Sequence, residues 1–193
     1  MKRIAIVNPK GGSGKTTTAL LFLLALDDAG IAVKAVDLDC QHTLTGTLSH
    51  IGKESLLSTP KPQYTITDTP ARLFVPETTE AIKTADTVIV TSKLMTADFR
   101  TTRDCLRELQ RMNCFDKAKL LFNQVDKRTG YKDEIKLLFS EAARNDFPEL
   151  AVERIPQVIY MRSEIARVHD YGFRSMRPTT REEVDKAIFA ALT

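Results

Sequence analysis

Pro9-Lys10-Gly11-Gly12-Ser13-Gly14-Lys15-Thr16 is the stretch on which the fold reading turns. It follows the apolar run Ile4-Ala5-Ile6-Val7 and leads into a long, largely apolar segment. A buried strand, a glycine-rich loop and a helix, in that order, form the setting of a phosphate-binding loop. The glycines let the backbone N–H groups of Gly11, Gly12, Ser13 and Gly14 converge on phosphate oxygens, and the helix N-terminus adds its partial positive charge. In that setting Lys15 reaches the β- and γ-phosphates as a point charge, and the Thr16 hydroxyl is placed to ligate Mg²⁺. Thr17, one position into the helix, is placed to bond the α-phosphate.

Outward from the loop, short β-rich runs alternate with helical patterns. The helix opened by the loop is predicted over about Thr16–Ala29 and is ended by Gly30. Residues 19–26 make it apolar almost all round, which places it deep in the core. Further strands are predicted at Ile31–Asp37, Gln63–Asp68, Thr87–Ser92, Lys119–Asn123 and Val152–Ile155. The clearest later helices span 96–113, 131–145 and about Thr180–Leu192. This alternation implies right-handed βαβ crossovers, hence an α/β fold with a mainly parallel twisted sheet and helices on both faces. No repeat or linker interrupts it, and the loosest segment, 52–62, is short enough to be a loop. At roughly 100–200 residues per domain, 193 residues make residues 1–193 one domain.

Composition excludes several classes. A formal net charge of +3 rules out a wholesale basic nucleic-acid coat and an acidic disordered tail, while leaving room for a local basic face. The excess sits late: Arg154, Arg162, Arg167, Arg174, Arg177 and Arg181 face only Glu164 and Asp170 within residues 154–181. Cys40, Cys105 and Cys114 are odd in number and contain no C-x-x-C pair, so neither a disulfide framework nor a zinc knuckle is indicated, and a cytoplasmic protein is expected. The longest apolar run, Ala19–Leu26, falls far short of the ~20 residues that span a bilayer. The apolar stretch after Met1-Lys2-Arg3 stops after four residues, too soon for a signal peptide. No membrane association is expected.

The loop departs from the ordinary G-x-x-x-x-G-K-[ST] pattern in one informative way. Pro9 stands where the first glycine should be, and Lys10 follows it. A second lysine has no evident task on a nucleotide that Lys15 already serves. This K-G-G-x-G-K-T resembles the deviant Walker A signature of the ParA/MinD group of P-loop ATPases. The resemblance implies ATP and Mg²⁺ as ligands and a homodimer closed on ATP. In it the leading lysine, here Lys10, reaches the partner's phosphates as a trans-acting cation. It implies catalytic roles for Lys10 and Lys15 and nucleotide contacts from Lys10 through Thr17. The plain alternative for Lys10 is a solvated surface lysine.

Two more segments fall where this group needs them. Val36-Asp37-Leu38-Asp39-Cys40-Gln41 resembles its D-x-D-P-Q switch, with Cys40 in place of the usual proline. Alternation along a strand puts Asp37 and Asp39 on one face. The resemblance makes Asp39 the acid that positions the attacking water and Asp37 a support for metal and loop. Ile66-Thr67-Asp68-Thr69-Pro70-Ala71 resembles the Walker B segment and second switch, with Asp68 holding Mg²⁺ through water. Asn123, after the fifth strand, resembles the residue near the adenine base; its amide offers a purine both donor and acceptor, and it is equally a routine strand-to-turn residue. Ile155-Pro156-Gln157 resembles the stretch packed over the base, with Gln157 where the group often has arginine.

The resemblance covers nearly the whole chain and starts at the first strand, without a preceding helix-turn-helix arm, as in the small plasmid-partition type. It implies non-specific DNA binding by the ATP dimer, a small ParB-like centromere-binding partner that stimulates slow hydrolysis, and nucleoid association. Arg162, Arg167 and Arg174 are the candidate DNA contacts, and Arg162-Ser163-Glu164 resembles the group's R-x-S-E stretch. Arginine–phosphate contacts give salt-dependent, sequence-blind affinity. A second stripe, Arg100, Arg103, Arg107 and Arg111, has helical spacing, but Asp104 and Glu108 intervene and favour a structural role. The competing readings are a positioning ATPase for another cargo, a MinD-like membrane ATPase and a metabolic P-loop enzyme. The second needs a basic amphipathic C-terminal helix, whereas residues 182–192 begin acidic and end nearly uncharged, which favours packing on the domain.

Overall fold

The computed structural model describes residues 1–72 and 75–193. Six strands, β1 (Lys2–Val7), β2 (Val33–Asp37), β3 (Tyr64–Asp68), β4 (Thr87–Ser92), β5 (Ala118–Phe122) and β6 (Glu153–Arg154), form one sheet in the order β2-β3-β1-β4-β5-β6. Every pairing is parallel. From β1 the chain runs to the edge strand β2, returns inward to β3 beside β1, then crosses to β4 and builds outward on the other side. The strand order therefore reverses at β1, and in such sheets the crevice beyond the strand C-termini at that point binds ligands. Register places Ile6 beside Asp68 and Asp68 beside Asp37, so β1, β2 and β3 end together.

Helix α1 (Lys15–Asp28) fills the space behind that crevice. Residues 19–26 are all at most 2% exposed, as their apolar run requires. The helix stops where Gly30 adopts φ 73°, with Gly30 N–H donating to Asp27 O and Ile31 N–H to Leu26 O. That pair of bonds is the Schellman closure that a left-handed glycine permits. Helix α2 (Thr43–His50) follows β2, and α3 (Pro76–Thr84) follows β3. Helix α4 (Thr96–Arg111) covers the other sheet face, where Leu106, Leu109 and Cys105 pack on Val88, Val90 and Leu120.

Residues 131–145 are two helices rather than one, α5 (Tyr131–Leu138) and α6 (Glu141–Asp146). The break has a local cause, because Ser140 adopts an extended conformation and its Oγ caps Ala143 N at 3.2 Å. The sixth strand is shorter than expected, with only Glu153 and Arg154 in the ladder. Two one-turn helices, α7 (Ser163–Ala166) and α8 (Val168–Tyr171), lead to α9 (Pro178–Leu192). Helix α9 buries Val184, Ala187, Ile188 and Ala191 against the α1 side of the core, as its weakly charged end suggested. Among the described residues, no helix is long and apolar enough to cross a membrane.

Candidate functional site

The loop leaving β1 is fixed before any ligand is considered. Asn8 is buried; its Oδ1 accepts from the Lys10 N–H at 2.7 Å and its Nδ2 donates to Thr91 O at 2.6 Å, at the end of β4. Gly12 and Gly14 take left-handed φ of 71° and 87°, which glycine alone adopts cheaply. Asn123, just beyond β5, donates Nδ2 to Ser13 O at 2.8 Å, and a Cβ at Gly14 would collide with that nitrogen. Asn123 therefore holds the phosphate loop, while its buried Oδ1 has no partner and is left to accept from a ligand amine. Gly14→Ala is expected to displace both Ser13 and Asn123. It should weaken ATP binding by an order of magnitude or more in a calorimetric titration, with the far-ultraviolet circular dichroism unchanged.

The first turn of α1 carries no acid, so the positive end of the helix is not cancelled locally. The Lys15 side chain is 7% exposed as a residue, and its Nζ bonds the Lys10 carbonyl at 3.3 Å. Burial lowers its pKa, against the pull of Asp68 and Asp39. Asp68, at the end of β3, is 1% exposed, and neither of its carboxylate oxygens makes a hydrogen bond. Burial raises its pKa from 3.8 to about 7. The Thr16 hydroxyl and Lys15 work against that rise, the hydroxyl lying close without good hydrogen-bond geometry, while Asp37 and Asp39 add to it.

Two orphaned carboxylate oxygens beside a loop threonine fit a hard divalent cation. Mg²⁺ takes oxygen ligands and is commonly held by one or two protein groups together with water and substrate phosphates. Thr16 and Asp68 are the residues that would hold it, and it would supply charge neutralisation at the phosphates. Asp37 is otherwise engaged. Its Oδ2 accepts from Thr45 N at 2.9 Å and Thr45 Oγ1 at 3.0 Å, and its Oδ1 accepts from Asp39 N at 3.1 Å. It thus pins the first turn of α2 to the end of β2. Among the described residues, no three His, Cys, Asp or Glu side chains gather into a metal-binding group.

Asp39 lies past the end of β2, so strand alternation does not set its direction; its Oδ1 accepts from Gln41 N at 3.0 Å. It lines a cavity of about 330 Å³ with Gly11, Gly12, Lys15, Thr16 and Thr17. A second cavity of about 260 Å³, lined by Asn123, Tyr160, Met161 and Ile165, shares Gly14, Thr17, Gln124 and His169 with the first. The pair has the arrangement of a phosphate pocket opening into a base pocket. A larger cavity of about 390 Å³ between α5 and α9 is not lined by the glycine loop.

Lys10 is not a freely solvated lysine. Its Nζ lies 2.7 Å from Asp98 Oδ1, in the first turn of α4, a partner that sequence spacing does not reveal. The arginine-rich segment also changes character. Arg162 pairs with Glu183 at 2.6 Å, lies over the Tyr160 ring and lines the second cavity. Arg177 pairs with Glu164, Arg181 with Asp28 and Asp185, and Arg154 bonds the carbonyls of Ile155 and Pro156. Arg167 and Arg174 are exposed, and no acidic partner is found for either among the described residues. In the other stripe, Arg103 and Arg107 pair with Glu149, Arg107 also with Asp104, and Arg111 with Glu108, as a structural role requires.

A six-stranded parallel sheet with this loop at its switch point defines a P-loop nucleotide-binding protein. The family model described as the CobQ/CobB/MinD/ParA nucleotide binding domain matches residues 4–172, and the chain belongs to that family. Among solved structures it is similar to a Borrelia burgdorferi protein described as a plasmid partition protein, bound to AMPPNP. The two share 16% identity with a TM-score of 0.75, over 99% of this chain and 98% of that one. It is also similar to a Cyanothece McdA variant in complex with ATP, at 18% identity and TM-score 0.70 over 100% and 96% of the two chains. The MinD cell division protein of Aquifex aeolicus aligns at 18% identity and TM-score 0.69 over 97% and 95%. At these identities the likeness is one of fold. No curated protein matches the sequence.

Proposed function

We propose that this chain is a small ParA-type partition ATPase whose working form is a homodimer closed on ATP. The observation that carries the reading is Lys10. Lys15 already occupies the loop's phosphate-facing position, and Lys10 is held by Asp98 on a different element. A half-exposed ion pair of this kind is worth about 1 kcal/mol or less, so a partner's phosphates can take the lysine from it. Once released, Lys10 supplies positive charge to the γ-phosphate of the facing subunit, and Asp39 orients the attacking water. Arg167 and Arg174 are the cations left to meet DNA phosphates, doubled in the dimer, and a ParB-like centromere-binding protein is the expected stimulator. Burial of one face of α9 speaks against a membrane-seeking helix.

Similarity to a cell division protein favours, as a second reading, a cargo other than plasmid DNA. One experiment tests the core of the proposal. Retention of the protein on non-specific DNA is measured with ATP, ADP and no nucleotide, at several salt concentrations, for wild type and for Lys10→Ala. ATP-selective, salt-sensitive retention is expected of wild type. Lys10→Ala is expected to bind ATP within about fivefold of wild type, the cost of that one ion pair at most, yet to remain monomeric and unretained. Absence of retention under every condition would point to a metabolic enzyme instead.

A further inference from the structure

His169 lies on α8, outside every motif that assigns the site. Its Nε2 is 2.9 Å from Thr17 Oγ1 and its Nδ1 is 3.2 Å from Thr47 Oγ1. Thr17 is in the first turn of α1, next to Thr16; Thr47 is on α2, the helix whose start Asp37 pins. The ring also lines both cavities, where a nucleotide would pass from base to phosphates. Helices α1, α2 and α8 thus meet at one imidazole beside the loop.

The proton count on this cluster is restrictive. Burial lowers the His169 pKa against a smaller opposing pull from Asp170, which keeps the ring neutral at pH 7. A neutral imidazole has one N–H, so it donates to one threonine and accepts from the other. With the proton on Nδ1, the ring donates to Thr47 and the Thr17 hydroxyl spends its only proton on Nε2. With the proton on Nε2, Thr17 accepts from the ring and keeps its own proton for a phosphate oxygen.

We propose that His169 is a positioning residue of the nucleotide site: its Nε2–H turns the Thr17 hydroxyl toward the α-phosphate, while Nδ1, accepting from Thr47, ties that state to α2. This rests on reading the loop as a nucleotide site. It assigns His169 no contact with the reacting atoms. Because it concerns how a hydroxyl is held, a side chain with a donor at the same place should replace the ring.

The test separates the two nitrogens. A glutamine amide reaches the place of Nε2, and an asparagine amide the place of Nδ1. Wild type, His169→Gln, His169→Asn and His169→Phe are titrated with ATP by calorimetry, and denaturant midpoints are measured without nucleotide. Nitrogen-15 spectra of the three histidines are recorded with and without ATP. His169→Gln is expected to bind within about twofold of wild type, and His169→Asn and His169→Phe about five- to tenfold more weakly, the effect of one lost hydrogen bond. ATP should shift the His169 ring to the Nε2–H pattern. The proposal is overturned if His169→Asn binds as wild type does, if His169→Gln falls to the level of His169→Phe, or if the ring signals do not move. His169→Phe is the variant most exposed to misfolding, and the Gln/Asn pair decides without it. Failure of wild type to bind any nucleotide would remove the reading of the loop itself.

Discussion

Lys15→Ala is expected to lower ATP affinity by about two to three orders of magnitude while the chain remains folded. The ammonium is buried, its pKa is lowered by that burial, and among the described residues its hydrogen bond runs to the Lys10 carbonyl. A cation held this way contributes little to the apo fold and is poised for a phosphate that satisfies it. Removing one partner of a desolvated charge pair costs about 2–5 kcal/mol, which covers the expected range. The same change removes a positive charge that works against the raised pKa of Asp68. The apparent pKa of Asp68 should therefore climb further, read by carbon-13 chemical shifts through a pH titration. Affinity within tenfold of wild type would mean that the loop does not face phosphate. Unchanged titration of Asp68 would mean that the two charges do not sense each other.

The parts of this molecule that are legible in the sequence are those written locally. Ile4–Val7, the glycine loop and the apolar run 19–26 each carry their own pattern, whereas the sheet order around β1 is set by pairings between distant strands. Helix α2 is not legible in that way. Its sequence, TLTGTLSH, has a weak apolar pattern, and its first turn is capped by Asp37 from a neighbouring strand rather than by a side chain of its own. The site divides along the same line. Gly12, Gly14, Lys15 and Asp68 stand where spacing puts them. The Lys10–Asp98 pair, the Asn123 bond to Ser13 and the His169 bridge join residues 88, 110 and 152 or 122 positions apart, which no period encodes. The basic excess of residues 154–181 misleads for the same reason: Glu183, Asp28 and Asp185 lie outside that window and neutralise Arg162 and Arg181 inside the fold.

Between pH 4 and pH 8 the nucleotide-free protein is expected to lose stability through Asp68, and Asp68→Asn to remove that loss. An acid whose pKa is raised by folding keeps its proton longer in the folded chain than in the unfolded one. The stability it allows is greatest below 3.8 and falls as pH climbs through about 7. At about 1.4 kcal/mol for each pH step, the ceiling on the fall is about 4 kcal/mol. Local relaxation around the carboxylate brings the expected value nearer 2 kcal/mol. His169, whose pKa is lowered, acts with the opposite sign, because its folded form resists protonation as pH drops below 6.5. The difference between wild type and Asp68→Asn therefore carries the test, not the raw slope of either. That difference should be small at pH 4 and favour the variant increasingly up to pH 8 in urea unfolding. Adding Mg²⁺ and ATP at pH 8 should stabilise wild type and leave Asp68→Asn nearly unmoved, since the amide offers no charge to a cation. Parallel stability curves for the two proteins would show that the carboxyl is not the strained group, and equal stabilisation by Mg²⁺ and ATP would show that it does not hold the metal. A buried acid that costs stability until a cation arrives makes the folded site a sensor of the ligand it is built for.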